Sequence, residues 1–138
     1  MSALSKTFGA LTLASTVWLV GEAVGQTPTP TIDQIRSSKT LRIGFDPDAP
    51  PFSYIAPSSP ATAAPQGYSV DLCRAVADQF KEQLKIPDLK VAYVAVNSVN
   101  RFDTIVDNKA DLLCEASTAT LSRRAKVDFS IPIFIDGA

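Results

Sequence analysis

The sequence contains no histidine, and it has only one methionine, one tryptophan and two cysteines among its 138 residues. The lack of histidine removes the side chain that most often acts as a general base near neutral pH, and it excludes a Ser/His/Asp catalytic triad. A glycine-rich phosphate-binding loop and a cluster of metal-ligating residues are also missing from the sequence. We therefore expect no metal and no cofactor, and a binding site is better supported than a catalytic one.

An excess of charge of one sign is likewise missing. The chain has 13 lysines and arginines against 14 aspartates and glutamates, a net charge of -1. A nucleic-acid-binding domain shows a basic patch or stripe, which these interspersed charges do not provide, so no nucleic-acid partner is expected. With 46% hydrophobic residues, a chain of this length is typical of one globular domain at most.

The first 25 residues differ in character from the rest. Lys6 lies in a short polar start, the run "FGALTLASTVWLV" is apolar, and Ala23-Val24-Gly25 offers small residues for cleavage. An apolar run of 13 residues is short for a bilayer, which needs about 20. Residues 1–25 are therefore predicted to be a signal peptide that is cleaved before Gln26, after which no stable membrane insertion is expected; an uncleaved anchor is the alternative.

Export would bring the two cysteines, Cys73 and Cys114, into an oxidising compartment. There they could pair as a disulfide. Free cysteines also pack well in protein cores, so two buried thiols are the other interpretation. The sequence leaves the two open, because it does not give the Cα spacing that a disulfide requires.

Hydrophobic periodicity predicts an α/β fold. A Pro/Thr-rich tether and a short helix occupy residues 26–38, and strands are predicted at 41–45, 89–96 and 110–116. Between them, one amphipathic helix starts at Tyr68 and a second has Ser98 as its cap; a helical turn is predicted at 121–126. Their inward residues are predicted to be Cys73, Val76, Ala77, Phe80 and Leu84 in the first helix and Phe102, Ile105 and Val106 in the second.

The order strand, helix, strand, helix, strand predicts a mainly parallel sheet with right-handed crossovers and with helices on its faces. Residues 46–67, rich in proline, are predicted to form a surface loop without a regular element. In such sheets ligands bind in the crevice beyond the carboxyl ends of the strands. Three segments arrive there, "DPDAPPF", "NSVNR" and "EASTATLSRR".

The third of these segments has the residues for an anion site. If Thr120 caps the helical turn, the free backbone N–H groups of that turn favour an anion. Arg123 lies in the same turn, and a guanidinium can hold a carboxylate in a bidentate grip. One arginine of the pair Arg123 and Arg124 is expected to be solvated. Asp46 and Asp48 could act as an acid and a base, but turn chemistry explains the same two residues better.

Taken together, these segments resemble the amino-terminal part of the family 3 periplasmic solute-binding proteins, the polar amino-acid receptors of ABC importers. The matching stretches are "LRIGFDPDAPPFSY", "GYSVDLCRAVADQF", "VNSVNRF" and "ADLLCEASTATLSRRAKVDFSIPIF". The resemblance implies a type 2 periplasmic binding protein lobe over residues 39–138, a periplasmic location, a polar amino acid as ligand and an ABC transporter permease as partner. Family members have two lobes, so the second lobe is expected to be missing from this chain and the site to be half complete.

The resemblance also implies roles for individual residues. Arg123 would hold the α-carboxylate of the ligand, and Thr118 would donate to the same carboxylate. The backbone carbonyl of Ala116 would accept from the α-ammonium group. Asp46 would contact the amine or the side chain of the ligand.

Within the family, the glutamate/aspartate-binding branch is the most similar, through "KIPDLKV" and "VNSVNRF". There Ser98 and Arg101 would face the ligand, with Arg101 holding a side-chain carboxylate. That branch has an arginine where this chain has Asp46, and the aromatic residues usual in the family are replaced by Ala49 and Ser98. Asp46 could instead neutralise Arg101. We therefore expect a glutamine-like or cationic ligand to be favoured over an acidic one.

Two other functions share the same resemblance. In ionotropic glutamate receptor-like channels a pore interrupts the lobe near "IPIFIDGA", which would then precede a membrane-spanning segment. Cyclohexadienyl dehydratase is an enzyme similar to these receptors that uses an acid in its cleft, and Glu115 is the nearest candidate here. The simpler interpretation of Glu115 is a strand-end residue that points to solvent.

Overall fold

The computed structural model describes residues 31–60 and 62–135. The predicted signal peptide at 1–25 and the start of the tether lie outside the described residues. The elements are α1 Thr31–Ser38, β1 Thr40–Phe45, β2 Asp48–Ala49, β3 Ser53–Tyr54, α2 Tyr68–Gln83, β4 Lys90–Ala95, α3 Arg101–Val106, β5 Leu112–Leu113 and α4 Leu121–Arg124. Within the described ranges, no helix is both long enough and apolar enough to cross a membrane.

The main sheet has the strand order β4-β1-β5, and both pairings are parallel. Both strand pairings place the carboxyl ends side by side, since Phe45 of β1 is in register with Ala95 of β4, and Gly44 of β1 with Leu113 of β5. The predicted parallel sheet with helices between its strands is confirmed. Because β1 lies in the middle and its neighbours are reached in opposite directions along the sheet, its carboxyl end is the topological switch point where ligands bind in such folds.

The core lies between β1, α2 and the residues that flank β4. Its buried members are Ile35, Leu41, Ile43, Ala77, Ile86, Leu89 and Cys114. A disulfide joins Cys73 of α2 to Cys114 directly after β5, with Cα atoms 6.3 Å apart. Of the two interpretations that the sequence left open, the structure therefore has the bridge. It ties the long helix to the strand end where the third predicted site segment begins.

Residues 46–67 are not a plain loop, and this prediction was wrong. Strands β2 and β3 form an antiparallel hairpin, and Tyr54 pairs further with Gln66. The turn contains a cis peptide bond between Pro50 and Pro51. The fully buried Ser53 supports the hairpin, because its hydroxyl accepts from the Asp46 N–H at 3.0 Å and donates to the Asp46 carbonyl at 2.8 Å.

The connection from this segment to α2 is also held in one conformation. Gly67 has φ +122, and a Cβ there would collide with the Phe52 carbonyl, so only glycine fits between the hairpin and the helix. Arg74 donates to the Tyr93 hydroxyl at 3.1 Å, to Asp71 at 2.7 Å and to the Pro65 carbonyl at 2.5 Å. The hydrogen bond with Tyr93 is the main reason why the pKa of Arg74 is raised above its ordinary value.

Two inward assignments were wrong, because Val76 and Val106 are 37% and 56% exposed. The packed face of α2 runs through Val70, Cys73 and Ala77, and Val76 lies at its margin. Ser69 and Val70 are buried as well, since the unpredicted hairpin covers the first turn of the helix. Val106 ends a helix of only six residues, in which Thr104 is the buried position.

Ser98 does not cap α3. The helix begins at Arg101 with Asn100 in the cap position, and two asparagines close the preceding turn. The Asn97 side chain accepts from the N–H groups of Val99 and Asn100, while Asn100 accepts from the N–H of Asn97. The helical turn after β5, by contrast, has the predicted cap: Thr120 accepts from the Arg123 N–H.

Candidate functional site

The site predicted from the sequence lies at the carboxyl edge of the three-stranded sheet. Asp46 follows β1 directly, Ser98 lies in the turn after β4, and Ala116 and Thr118 follow β5. Because these strands end side by side, the topology brings all three segments to one edge. Ser98, Ala116 and Thr118 are exposed there.

Arg123 is turned back toward the end of β5. Its Nη1 donates to the Thr118 carbonyl at 2.8 Å, and the side chain is half-buried. Arg124, the next residue, is exposed and stacks at 5.5 Å on the ring of Phe129. The two neighbours therefore differ as predicted, with Arg123 held at the strand ends and Arg124 on the outer surface.

Arg101 forms an ion pair with Glu115 within the described part of the chain. Arg101 Nη1 lies 2.8 Å from Glu115 Oε2, and only 13% of the arginine and 1% of the glutamate side chain are exposed. The other carboxylate oxygen, Oε1, accepts from the Ser117 hydroxyl. Arg101 Nε is buried and has no hydrogen-bond partner among the described residues.

These contacts correct two sequence-based interpretations. Glu115 does not point to solvent, because the start of α3 packs against the end of β5 and encloses its side chain. Asp46 does not neutralise Arg101, because Glu115 already does. Asp46 Oδ1 accepts from the Asp48 N–H at 3.0 Å, which is a turn contact and gives the pair Asp46 and Asp48 no mutual catalytic geometry.

A phenylalanine links the two arginines. The guanidinium carbons of Arg101 and Arg123 lie 5.2 and 5.1 Å from the centre of the Phe102 ring. Phe129 supports this ring at a centroid distance of 6.2 Å. The cation–π contacts fix the two positive groups relative to each other at the strand ends.

Sequence reasoning placed Phe102 only in the core and gave Glu115 only a minor role. For Phe102 the available signal was its position directly after Arg101, at the start of a helix that follows a strand end. For Glu115 it was a carboxylate near the end of the predicted strand 110–116 and two residues before a hydroxyl residue. Neither signal shows that Arg101 and Glu115 pair with each other, because this pairing depends on the packing of α3 against β5.

A separate groove of about 410 Å³ lies beside the long loop. It is lined by Phe45, Thr62, Ala63, Ala64, Tyr93 and Ala95 and contains none of the predicted site residues. Its lining offers no charged group for a polar ligand. The arrangement of arginines and carboxylates at the strand ends is therefore the candidate site.

Comparison with known proteins gives agreement across most of the chain. Residues 41–138 match the bacterial extracellular solute-binding proteins, family 3. The chain is similar to the L-glutamate/L-aspartate-binding protein of Pseudomonas aeruginosa, with 34% identity over 106 residues that cover 77% of this chain and 34% of that protein.

Two solved structures are similar as well. One is an ancestral amino acid-binding protein that is a precursor of cyclohexadienyl dehydratase (TM-score 0.60, 30% identity, 74% of this chain and 40% of that one). The other is the arginine-bound form of domain 1 of ArgBP from T. maritima (TM-score 0.58, 26% identity, 75% and 71%). The chain thus spans about a third of the curated relative's length and about two fifths of the ancestral protein's.

Proposed function

Because the chain belongs to the bacterial extracellular solute-binding proteins, family 3, we propose that it is the first lobe of a receptor that delivers a polar amino acid to an ABC importer. The observation that carries this proposal is the guanidinium of Arg123, which the Thr118 carbonyl and the Phe102 ring hold at the carboxyl edge of the sheet. A guanidinium that its neighbours hold in place is suited to a carboxylate, which it can hold by two parallel hydrogen bonds.

The remaining site residues take the roles that the family pattern implies. Thr118 donates its hydroxyl to the same α-carboxylate, and the Ala116 carbonyl accepts from the α-ammonium group. Asp46 supplies a negative charge near that ammonium group, and Ser98 faces the ligand from the turn after β4. Support comes from the topology, which brings these four residues to one edge of the sheet.

The proposal includes the route and the partners of the protein. Residues 1–25 act as the cleaved signal peptide, the mature protein works in the periplasm, and a permease of an ABC transporter receives the ligand. The similar proteins include an L-glutamate/L-aspartate-binding protein and an arginine-bound domain, which supports an amino acid as the ligand class.

We propose that a second lobe, as in other family members, supplies the remaining contacts of the site. The chain's coverage of 34% of a curated relative supports this part of the proposal. A half-site lacks the enclosing contacts that repay the loss of ligand freedom, so it binds more weakly than a closed site. The arginine-bound form of a single domain in a similar structure supports measurable binding by one lobe.

The test is calorimetry on the mature form of the complete gene product, titrated with glutamine, arginine, glutamate and a non-amino-acid control such as a pentose. We expect at least one polar amino acid to bind. We also expect Arg123→Lys to weaken binding about tenfold or more, because one charge-assisted hydrogen bond contributes about 1.5–3 kcal/mol.

The matched control is Arg124→Lys, which makes the same change one residue away on the outer surface and should leave the affinity within about twofold. If no amino acid binds, or if the two variants lose affinity equally, the proposed role of Arg123 is wrong.

One observation favours a second function, a dehydratase activity. Glu115 is a buried carboxylate at the strand ends, and a similar structure is the precursor of cyclohexadienyl dehydratase. Both carboxylate oxygens of Glu115 already accept hydrogen bonds, one from Arg101 and one from Ser117. They are therefore poorly placed to reach a substrate. Turnover of prephenate by the purified protein, abolished in Glu115→Gln, would favour the enzyme over the receptor.

A further inference from the structure

The ion pair between Arg101 and Glu115 has a consequence for the ligand's side chain. The pair is nearly fully buried, and Arg101 Nη1 and Glu115 Oε2 lie 2.8 Å apart. The positive charge of Arg101 is therefore already balanced by a group of the protein. Of the two arginines that contact Phe102, only Arg123 lacks a carboxylate partner among the described residues.

A zwitterionic amino acid supplies one carboxylate and one ammonium group. Arg123 matches the first and Asp46 the second, so these charges balance without any contribution from the ligand's side chain. A side-chain carboxylate would add a second anion beside Glu115 and compete with it for the single guanidinium of Arg101. Like charges in a partly buried site are strongly disfavoured.

One donor of Arg101 nevertheless lacks a partner. Its Nε is buried and makes no hydrogen bond to any described residue. Part of the same side chain, 13% of it, remains exposed, so an uncharged acceptor on the ligand can reach the guanidinium there without displacing Glu115. The carbonyl oxygen of a carboxamide is such an acceptor, and its NH₂ group can donate to a neighbouring oxygen.

We propose that Glu115 is a specificity-determining residue, which occupies Arg101 in advance and thereby selects a carboxamide side chain, as in glutamine or asparagine, over a carboxylate side chain. This inference rests on the proposed amino-acid-binding function and narrows it. Ser117 assists by holding the second carboxylate oxygen of Glu115 in place.

The test compares glutamine with glutamate by calorimetry on the complete gene product. We expect the wild-type protein to bind glutamine at least about tenfold more tightly than glutamate, and Glu115→Gln to reduce or reverse that ratio by about tenfold or more. The matched control is Glu82→Gln, which removes the same charge from the exposed face of α2 and should leave the ratio unchanged.

The possible outcomes distinguish a failure of the proposed function from a failure of the proposed role of Glu115. If no amino acid binds to the wild-type protein, the proposed function fails. If glutamate binds as tightly as glutamine, or if Glu115→Gln leaves the ratio unchanged, the function stands and the role of Glu115 is wrong.

A second measurement covers the case in which Glu115→Gln does not fold because Arg101 has lost its partner. A crystal structure of the wild-type protein with glutamine should show the amide oxygen within hydrogen-bond distance of the Arg101 guanidinium and the pair with Glu115 intact. A ligand side chain that points away from Arg101, or a Glu115 that has left it, would overturn the inference.

Discussion

At the scale of single residues, the site depends on how long cationic side chains are held. Arg101 and Arg123 come from different elements, α3 and α4, yet both guanidinium groups lie just over 5 Å from the same ring, that of Phe102. Arginine has four rotatable side-chain bonds, and fixing it in one arrangement costs conformational entropy. A ring that stabilises both groups in one geometry lowers that cost at the moment of ligand binding.

This gives a prediction for Phe102. Replacement with leucine keeps an apolar side chain but removes the π face, and we expect amino-acid affinity to fall about three- to tenfold, since each contact contributes about 0.5–1 kcal/mol at partly exposed sites. Calorimetry measures the change. Phe102→Tyr retains the ring and should retain the affinity, whereas equal losses in both variants would mean that Phe102 matters only for packing.

The sequence allowed some features of these residues to be predicted and not others. The family resemblance singled out Arg123 over Arg124, and in the structure Arg123 reaches the Thr118 carbonyl while Arg124 stacks on Phe129. The partner of Arg101 did not follow from any local pattern. Glu115 is 14 positions away along the chain, and only the packing of α3 beside β5 decides that it, and not Asp46, reaches the guanidinium.

At the scale of elements, the helices and strands with a periodic pattern of apolar residues were predicted better than the turns. The strands of the main sheet and the long helix α2 were predicted from the spacing of their apolar residues, because that spacing reflects which side chains are buried. The hairpin β2–β3 has strands of two residues each, too short for a period to be visible. It depends on a buried serine hydroxyl, and such side-chain-to-backbone contacts leave no periodic trace in the sequence.

Arg74 fixes the proline-rich segment after this hairpin, and its removal should release the segment. In Arg74→Met the apolar stem remains while the donors to Tyr93, Asp71 and Pro65 are lost. We expect cleavage by thermolysin between residues 55 and 64 to become about threefold faster or more, because local opening becomes easier. The control is Arg36→Met, which removes only an exposed pair with Asp33 on α1; equal cleavage rates would contradict this role.

The raised pKa of Arg74 also fixes the sign of any pH effect. When folding raises the pKa of a cationic group such as Arg74, the group stabilises the folded state fully at any pH below its ordinary pKa. The stabilisation is lost only as the pH rises above that ordinary pKa. The ordinary pKa of a guanidinium already lies far above the neutral range. The protection of the loop by Arg74 should therefore be constant from pH 5 to pH 9, and cleavage rates that change with pH in the wild type but not in Arg74→Met would argue against it.

The disulfide is a second constraint between elements, since it joins α2 to the end of β5 across 41 positions of sequence. In the chain-entropy view, closing a loop of this length stabilises the folded state by about 4 kcal/mol. Urea unfolding of the protein with and without a reductant should show a loss of that order. The double variant Cys73→Ala and Cys114→Ala should already be destabilised and should not respond to the reductant; a response would mean that the reductant acts elsewhere.

At the scale of the whole molecule, the fold class was predicted correctly. The described lobe has the parallel sheet and flanking helices of type 2 periplasmic binding proteins, and structures of that class are similar to it. The order of the elements was sufficient for the parallel sheet with flanking helices, because a strand–helix–strand order admits few sheet topologies. The type 2 periplasmic binding protein lobe was implied by the family resemblance. What the order does not give is the width of the sheet. In the described part of the chain β4 and β5 are its outer strands, and β5 pairs through only two residues.

The open edges lead to a prediction about residues 26–138 as an isolated polypeptide. Leu121, Ile131 and Ile135 are 89%, 83% and 87% exposed, and exposed apolar side chains and unpaired strand edges each favour association with other chains. We expect this polypeptide to associate as its concentration rises, measured by light scattering after size-exclusion chromatography, and to bind the ligand about 100-fold more weakly than the complete gene product, because it encloses less of it. The complete product provides the comparison and should remain monomeric. Equal affinity of the two proteins, with the short one monomeric, would show that the first lobe alone supplies the binding energy, and the half-site proposal would then be wrong.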